Sequence, residues 1–189
     1  ALDSDEKLLI SDEALNRITT LTRDGQFVRK WGEQGDKDGQ MDHPSGLALD
    51  DAGHIFVADT MNHRIQKFTP EGELVLKWGT HGSAEGELDM PWGMAIDDES
   101  YVYVADWRND RIQKFTPEGE FISVLGQRGS GTGQFNRPAG VCTDDDGDIY
   151  VADTGNNRVQ QFSPEGQYVD EFIGDATLSK SARTYMMSN

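Results

Sequence analysis

One cysteine, Cys142, stands among 189 residues, which excludes an intrachain disulfide. No apolar run approaches the ~20 residues of a membrane-spanning helix, and residues 1–20 lack a signal-peptide pattern, so no membrane insertion is expected. The four histidines, His43, His54, His63 and His81, do not fall into HExxH or a comparable metal-ligand spacing. A GxSxG elbow, a P-loop and a glycine-rich dinucleotide fingerprint are also missing. Basic residues are scarce: 17 Lys+Arg face 34 Asp+Glu, the formal net charge is −17 with histidine neutral, and Lys and Arg never form a run. Such a surface repels phosphate backbones, so nucleic acid is not an expected partner. The acidity reads first as solubility and second as attraction for cationic partners.

What is abundant is glycine, 21 residues of it, set among short and regular apolar clusters. With 35% hydrophobic residues, this composition describes a chain with many turns rather than a disordered one. The turns are periodic. Asp59, Asp106 and Asp153 are spaced by 47 residues, as are Arg64, Arg111 and Arg158, and Pro44, Pro91 and Pro138. One further step back reaches Asp12 and Arg17 in a more diverged copy. A single repeat region over 1–189 is expected, with units near 1–43, 44–90, 91–137 and 138–174, and with 175–189 irregular or opening a further unit.

Each unit contains four strand candidates, in the second unit "GLALD" (46–50), "HIFVA" (54–58), "RIQKF" (64–68) and "ELVLKW" (73–78). The first two are joined by "DAG" and the last two by "TPEGE", where proline sets φ near −65° and glycine supplies the positive φ that restarts the chain. Short hairpins make the four strands one antiparallel meander. Long glycine-rich returns of near-constant length, "GTHGSAEGELDMP" and "GQRGSGTGQFNRP", then lead to the next meander. Outermost strand linked back to innermost strand is the connection of a β-propeller, an all-β fold; a linear array would expose long strand edges.

These residues resemble the NHL repeat. The likeness is carried by P-x-G-[LMV]-A, [IV]-[FY]-V-A-D, N-x-R-[IV]-Q-x-F, P-E-G and a closing WG, complete around 44–79, complete around 91–126 but for Leu125 in place of the closing Trp, and nearly so over 138–172. The resemblance implies a propeller, usually of six blades. By the 47-residue register the chain starts partway through a blade, so a window on a longer six-bladed ring is preferred to a complete four-bladed ring, and open edges or blade faces are candidates for self-association. The resemblance also implies a choice of functions. NHL propellers serve as interaction domains, including RNA- or protein-binding ones in tripartite-motif ubiquitin ligases, whereas the peptide-amidating lyase and lactonase-like enzymes use a metal in the propeller.

The repeated polar residues read as scaffold. Asp12, Asp59, Asp106 and Asp153 end a second strand, where each can accept backbone N–H bonds and pair with Arg17, Arg64, Arg111 or Arg158 five residues on. Asn62, Asn109 and Asn156 suit a positive-φ turn position. "DDDGD" (144–148) has oxygen ligands around a glycine but occupies a hairpin slot and lacks the rest of an EF-hand loop. Cys142 stands where Ala48 and Ala95 stand in the other innermost strands and is expected to pack as a small apolar residue. His43 and His63 fall on one face of one blade, where a zinc site is conceivable, but two histidines with no identified third ligand read as solvated loop residues, so no metal and no cofactor is expected.

Function in a repeat protein belongs where copies differ on a common face. The x of Pro-x-Gly is Ser45, Trp92 or Ala139, and the loop after the repeated aspartate carries Thr60-Met61, Trp107-Arg108 or Thr154-Gly155. Trp92, Trp107 and Arg108, with Met61, His63 and His43 beside them, are the expected binding residues, since large aromatics and arginine anchor interfaces. Trp31 and Trp78 recur at the outer strands and read as packing. The expected function is a non-enzymatic recognition propeller for a protein, peptide or glycan. Its rival is a metal-dependent hydrolase or lyase with a central-channel site, which needs unique His, Asp, Asn or Glu residues converging on the axis.

Overall fold

The structure is a computed structural model that describes residues 1–173. The expectation for 175–189 lies outside the described residues. Fifteen strands form four antiparallel sheets in chain order among the described residues. The first holds β1 (Leu8–Asp12), β2 (Arg17–Leu21) and β3 (Phe27–Trp31). The second holds β4 (Pro44–Leu49), β5 (Ile55–Asp59), β6 (Arg64–Phe68) and β7 (Leu74–Trp78). The third holds β8 (Pro91–Ile96), β9 (Val102–Asp106), β10 (Arg111–Phe115) and β11 (Phe121–Leu125). The fourth holds β12 (Pro138–Thr143), β13 (Ile149–Asp153), β14 (Arg158–Phe162) and β15 (Tyr168–Ile173).

The expected meanders are therefore present, with two corrections. The innermost strands begin at the proline, two residues before the expected start, because Pro44 and Pro91 pair with Asp59 and Asp106 across an irregular step in register. The first sheet has three strands rather than four, and in the innermost slot the chain makes only the isolated bridge Leu2–Leu8.

The core is a series of layers between sheets. One layer joins Leu9 and Ile18 to Ile55, Val57 and Phe68; the next joins Phe56, Ala58 and Ile65 to Val102, Val104 and Phe115; the third joins Tyr103, Ala105 and Ile112 to Ile149, Val151 and Phe162. Alternate residues of a strand such as β5 thus enter opposite layers, which is why "IFVAD" is buried without interruption. Each fully buried phenylalanine in these layers contributes roughly 1.5–3 kcal/mol. Met41, Leu88 and Phe135, at equivalent places in the mostly polar returns, are fully buried and seal the layers.

Innermost strands β4, β8 and β12 pack against one another in series. The glycine of Pro-x-Gly permits that approach: a Cβ on Gly46 would lie 2.3 Å from the Trp92 carbonyl oxygen, and one on Gly93 2.6 Å from that of Ala139. The hairpin glycines do a second job. Gly72 has φ +91°, and a Cβ there would meet the Trp31 ring of the preceding sheet at 2.8 Å; Gly119 stands in the same relation to Trp78. Trp31 and Trp78 are thus packing residues between blades.

Cys142 is exposed, against expectation. Ala48 and Ala95 are buried by the sheet that follows theirs, whereas Cys142 belongs to the last described sheet. Burial and then the Asp144 charge push its thiol upward, away from thiolate reactivity.

Candidate binding face

The face is set by a polar hub at the end of each second strand. Asp59 is fully buried and accepts from the Asp42 backbone N–H at 2.6 Å, Asn62 Nδ2 at 2.9 Å, Arg64 Nε at 2.7 Å and Gln66 Nε2 at 3.0 Å. Arg64 then donates to the carbonyls of Asp36, Lys37 and Gln40 in the return segment. Asp106 with Asn109, Arg111 and Gln113, and Asp153 with Asn156, Arg158 and Gln160, repeat the hub. Burial is the largest influence on Asp59 and Asp106 and pushes both carboxyls upward against the lowering by these donors. Asp12 differs: its Arg17 contact is 3.6 Å, and Arg17 Nε has no hydrogen-bond partner.

The positive-φ position lies one residue later than expected. Asn62, Asn109 and Asn156 close 3₁₀ turns and donate to the hub, while φ is +54° at His63, +55° at Asp110 and +53° at Asn157. The side chains at this position reach the next blade. Asn16 accepts from the His43 N–H at 2.7 Å, His63 Nδ1 from the Met90 N–H at 3.2 Å, and Asp110 from the Arg137 N–H at 2.7 Å.

On this frame Trp92 and Trp107 come together. The Pro91–Asp106 pairing sets them side by side, with ring centroids 6.0 Å apart and planes inclined by 37°. Trp92 is 36% exposed and Trp107 half-buried. Arg137, which the sequence reading did not single out, lies with its guanidinium 5.0 Å from the Trp107 ring centroid. Only its place before Pro138, where His43 and Met90 stand in the other blades, marked it as variable. Arg108 is exposed and shares with Arg128 and Arg137 an open cleft of ≈ 710 Å³, lined also by Asp89, Asp110 and Asn136. Three guanidiniums thus converge on a chain of formal charge −17.

The other expected binding residues are spread out. Met61 is exposed. His43 Nδ1 pairs with Asp42 at 2.7 Å. His63 meets His81 and Asp89 of the following return segment instead, with the two imidazole centroids 4.2 Å apart. Burial, and then the His81 charge, hold the His63 imidazole below its ordinary value. "DDDGD" is a hairpin: Asp144 accepts from the Asp146 and Asp148 backbone N–H groups and from the Tyr150 hydroxyl.

The family model described as NHL repeat matches residues 41–68 and 135–162. Those two stretches are NHL repeats. By sequence, no curated protein matches the chain. Solved structures do. A catalytically inactive virginiamycin B lyase from Staphylococcus aureus, in a structure with quinupristin, is 16% identical with a TM-score of 0.70, covering 94% of this chain and 55% of the lyase chain. A gluconolactonase from Xanthomonas campestris is 20% identical with a TM-score of 0.68, over 92% and 60% of the two chains. A chain of a nidogen/laminin complex is 20% identical with a TM-score of 0.66, over 88% and 59%. Identities this low establish the shared β-propeller fold alone, and this chain spans little more than half the length of the lyase.

Proposed function

We propose that this NHL propeller is a recognition module that binds a protein or peptide segment on its Pro-x-Gly face, with Trp92 and Trp107 as anchors. The observation that carries the reading is that tryptophan pair, partly exposed beside Arg137 and Arg108, where the adjacent blades hold Ser45–Thr60 and Ala139–Thr154. Aromatic rings with two χ angles offer large contact area at small entropic cost, and flanking guanidiniums select a carboxylate in the ligand. The preferred ligand is therefore a segment with an apolar side chain next to an acidic one. Net charge disfavours nucleic acid.

Among the described residues the innermost strands, Pro44–Leu49, Pro91–Ile96 and Pro138–Thr143, contain no histidine or carboxylate, so these blades offer the enzyme alternative no group there. The same reading includes a six-bladed ring completed by further blades. Ala152 and Val159 are half-exposed where their counterparts Ala58, Ala105, Ile65 and Ile112 are buried, which supports it.

Selection from a displayed random-peptide library tests the proposal, with a glycan array as the second arm. Peptides pairing an aromatic or aliphatic residue with Asp or Glu should be enriched, and Trp92→Ala, Trp107→Ala and Arg137→Ala should each weaken their binding without lowering the melting temperature much. Enriched peptides that bind the three variants unchanged, or glycans bound in place of peptides, would overturn it.

A further inference from the structure

The same three positions recur at each junction between blades, and their chemistry changes from one junction to the next. They are the positive-φ residue, the third residue of the return segment and the residue two before the proline. Between the first and second sheets they are Asn16, Gln34 and Asp42; between the third and fourth, Asp110, Arg128 and Asn136, with an Asp110–Arg128 pair at 3.7 Å. Between the second and third they are His63, His81 and Asp89. His63 Nδ1 lies 3.3 Å from Asp89 Oδ1, His81 Nε2 lies 3.7 Å from the same oxygen, and the three ligand atoms all fall within 4.8 Å of one another.

Three features distinguish this junction from an ion pair. His63 Nδ1 accepts from the Met90 N–H, so that nitrogen carries a lone pair rather than a proton, and it faces a carboxylate oxygen. Asp89 Oδ1 is itself buried and receives no hydrogen bond, although unpartnered buried acceptors are costly. The backbone of Asp89 is held in place from the other side, because its N–H donates to the hub carboxylate of Asp106 at 2.7 Å. Two imidazole nitrogens and one carboxylate oxygen thus converge, and the carboxylate oxygen takes no hydrogen bond from either ring. Tetrahedral zinc, with ligand bonds of ~2.0–2.2 Å, sets its ligand atoms roughly 3.3–3.6 Å apart, close to both separations seen here.

We propose that His63 Nδ1, His81 Nε2 and Asp89 Oδ1 form a binding site for a divalent transition cation, zinc foremost. Imidazole and carboxylate suit zinc over the hard cations that prefer all-oxygen shells. Three protein ligands leave a coordination position for water, and Asp89 also lines the cleft that holds Arg108. The Met90 N–H bond to His63, long at 3.2 Å, is the contact that yields when the metal takes the lone pair. The site is off the innermost strands, in the β5–β6 turn and the following return, and stands independently of the tryptophan pair.

Untagged protein, stripped with chelator and titrated with zinc chloride alone by calorimetry, tests the site. One equivalent of zinc should bind and raise the melting temperature, and cobalt in its place should give the intense visible bands of a tetrahedral centre. His81→Gln places at this exposed position the residue found at Gln34, and His63→Asn places the residue found at Asn16, so both variants keep the junction's own side-chain types. Each should weaken zinc binding by roughly tenfold or more, as losing a ligand exceeds the typical cost of disturbing a ligand's support. His54→Gln, on a hairpin histidine that pairs with Asp50 and lies outside the cluster, should bind zinc like the parent. Absence of stoichiometric binding, or binding that survives both His81→Gln and His63→Asn, would overturn the assignment.

Discussion

The second and third blades share a scaffold and differ at their rims. Both bury an aspartate in a hub of backbone, asparagine, arginine and glutamine donors, with Arg64 Nε–Asp59 at 2.7 Å and Arg111 Nε–Asp106 at 2.8 Å. At the rim, Ser45 Oγ and Thr60 Oγ1 lie 2.6 Å apart and Thr60 donates to the Pro91 carbonyl at 2.8 Å, so the second blade spends these positions on its neighbour. In the third blade the equivalent positions are Trp92 and Trp107, whose rings meet each other and leave a face to solvent. A fixed hub frees the positions around it to differ. Binding specificity is then a matter of which side chains the hub does not use.

Removing the hub aspartate breaks the shared part and should have the largest effect. Asp106→Ala leaves Arg111 and Gln113 facing the site of a lost, fully buried carboxylate, and Asp59→Ala does the same to Arg64 and Gln66. Breaking such a buried pair costs ~3–5 kcal/mol, and the two variants should agree closely in denaturant melts. Asp12→Ala, whose arginine stands at 3.6 Å and whose carboxylate is partly exposed, should cost under ~1 kcal/mol. Equal losses at Asp12 and Asp106 would show that the hub's hydrogen bonds are not what stabilises a blade.

Exchanging the rims sharpens the comparison. The double variant Trp92→Ser, Trp107→Thr gives the third blade the second blade's residues. Peptide binding should fall by ~2 kcal/mol or more, as truncation of a central anchor does, while stability shifts by less than ~1 kcal/mol. Titration of a selected peptide, paired with a thermal melt, checks both. A large drop in melting temperature would identify the tryptophans as packing between blades.

Much of this was legible in the sequence because a constant 47-residue spacing exposes whatever repeats. The strands, the hub pairs Asp59–Arg64, Asp106–Arg111 and Asp153–Arg158, and the tryptophan rim all follow from aligning the copies. What stayed hidden depends on contacts between copies. Gln66, Gln113 and Gln160 look like strand-surface residues but are fully buried, bridging hub and return segment. The turn carries its positive φ at His63 rather than Asn62, since the asparagine is held by Asp59. His63, His81 and Asp89 are separated by 18 and 8 residues and match no ligand motif; only the return segment's path beside the turn joins them. Cys142 was misplaced because register identifies the pleat but not whether a further sheet covers it.

The smallest predicted difference between the two blades concerns their first hairpins. In the second blade Asp50 is held by charged or chargeable partners, Lys67 at 3.1 Å and His54 at 2.9 Å, and by the His54 backbone N–H at 2.8 Å. In the third, the equivalent Asp97 accepts from the neutral Tyr103 hydroxyl at 3.0 Å, and Lys114 stands at 3.5 Å. Burial works to raise the Asp50 carboxyl, but the His54 and Lys67 bonds outweigh it and the net shift is downward. A carboxyl whose folded value lies below its unfolded value stabilises the fold fully above the unfolded value, about 3.9, and that contribution is lost as the pH falls through the folded value. Asp50→Asn removes the titration while keeping an oxygen acceptor. Relative to the parent, the variant should be less stable at pH 7 by ~1–2 kcal/mol, the range for weakening hydrogen bonds to a charged group in a mostly shielded pair, and the gap should close as the pH approaches 3. The check is the difference between the two melting curves at each pH, since acid loosens the rest of the protein equally in both. A gap that stays constant from pH 7 to 3 would mean that packing, rather than the Asp50 charge, separates the variant from the parent.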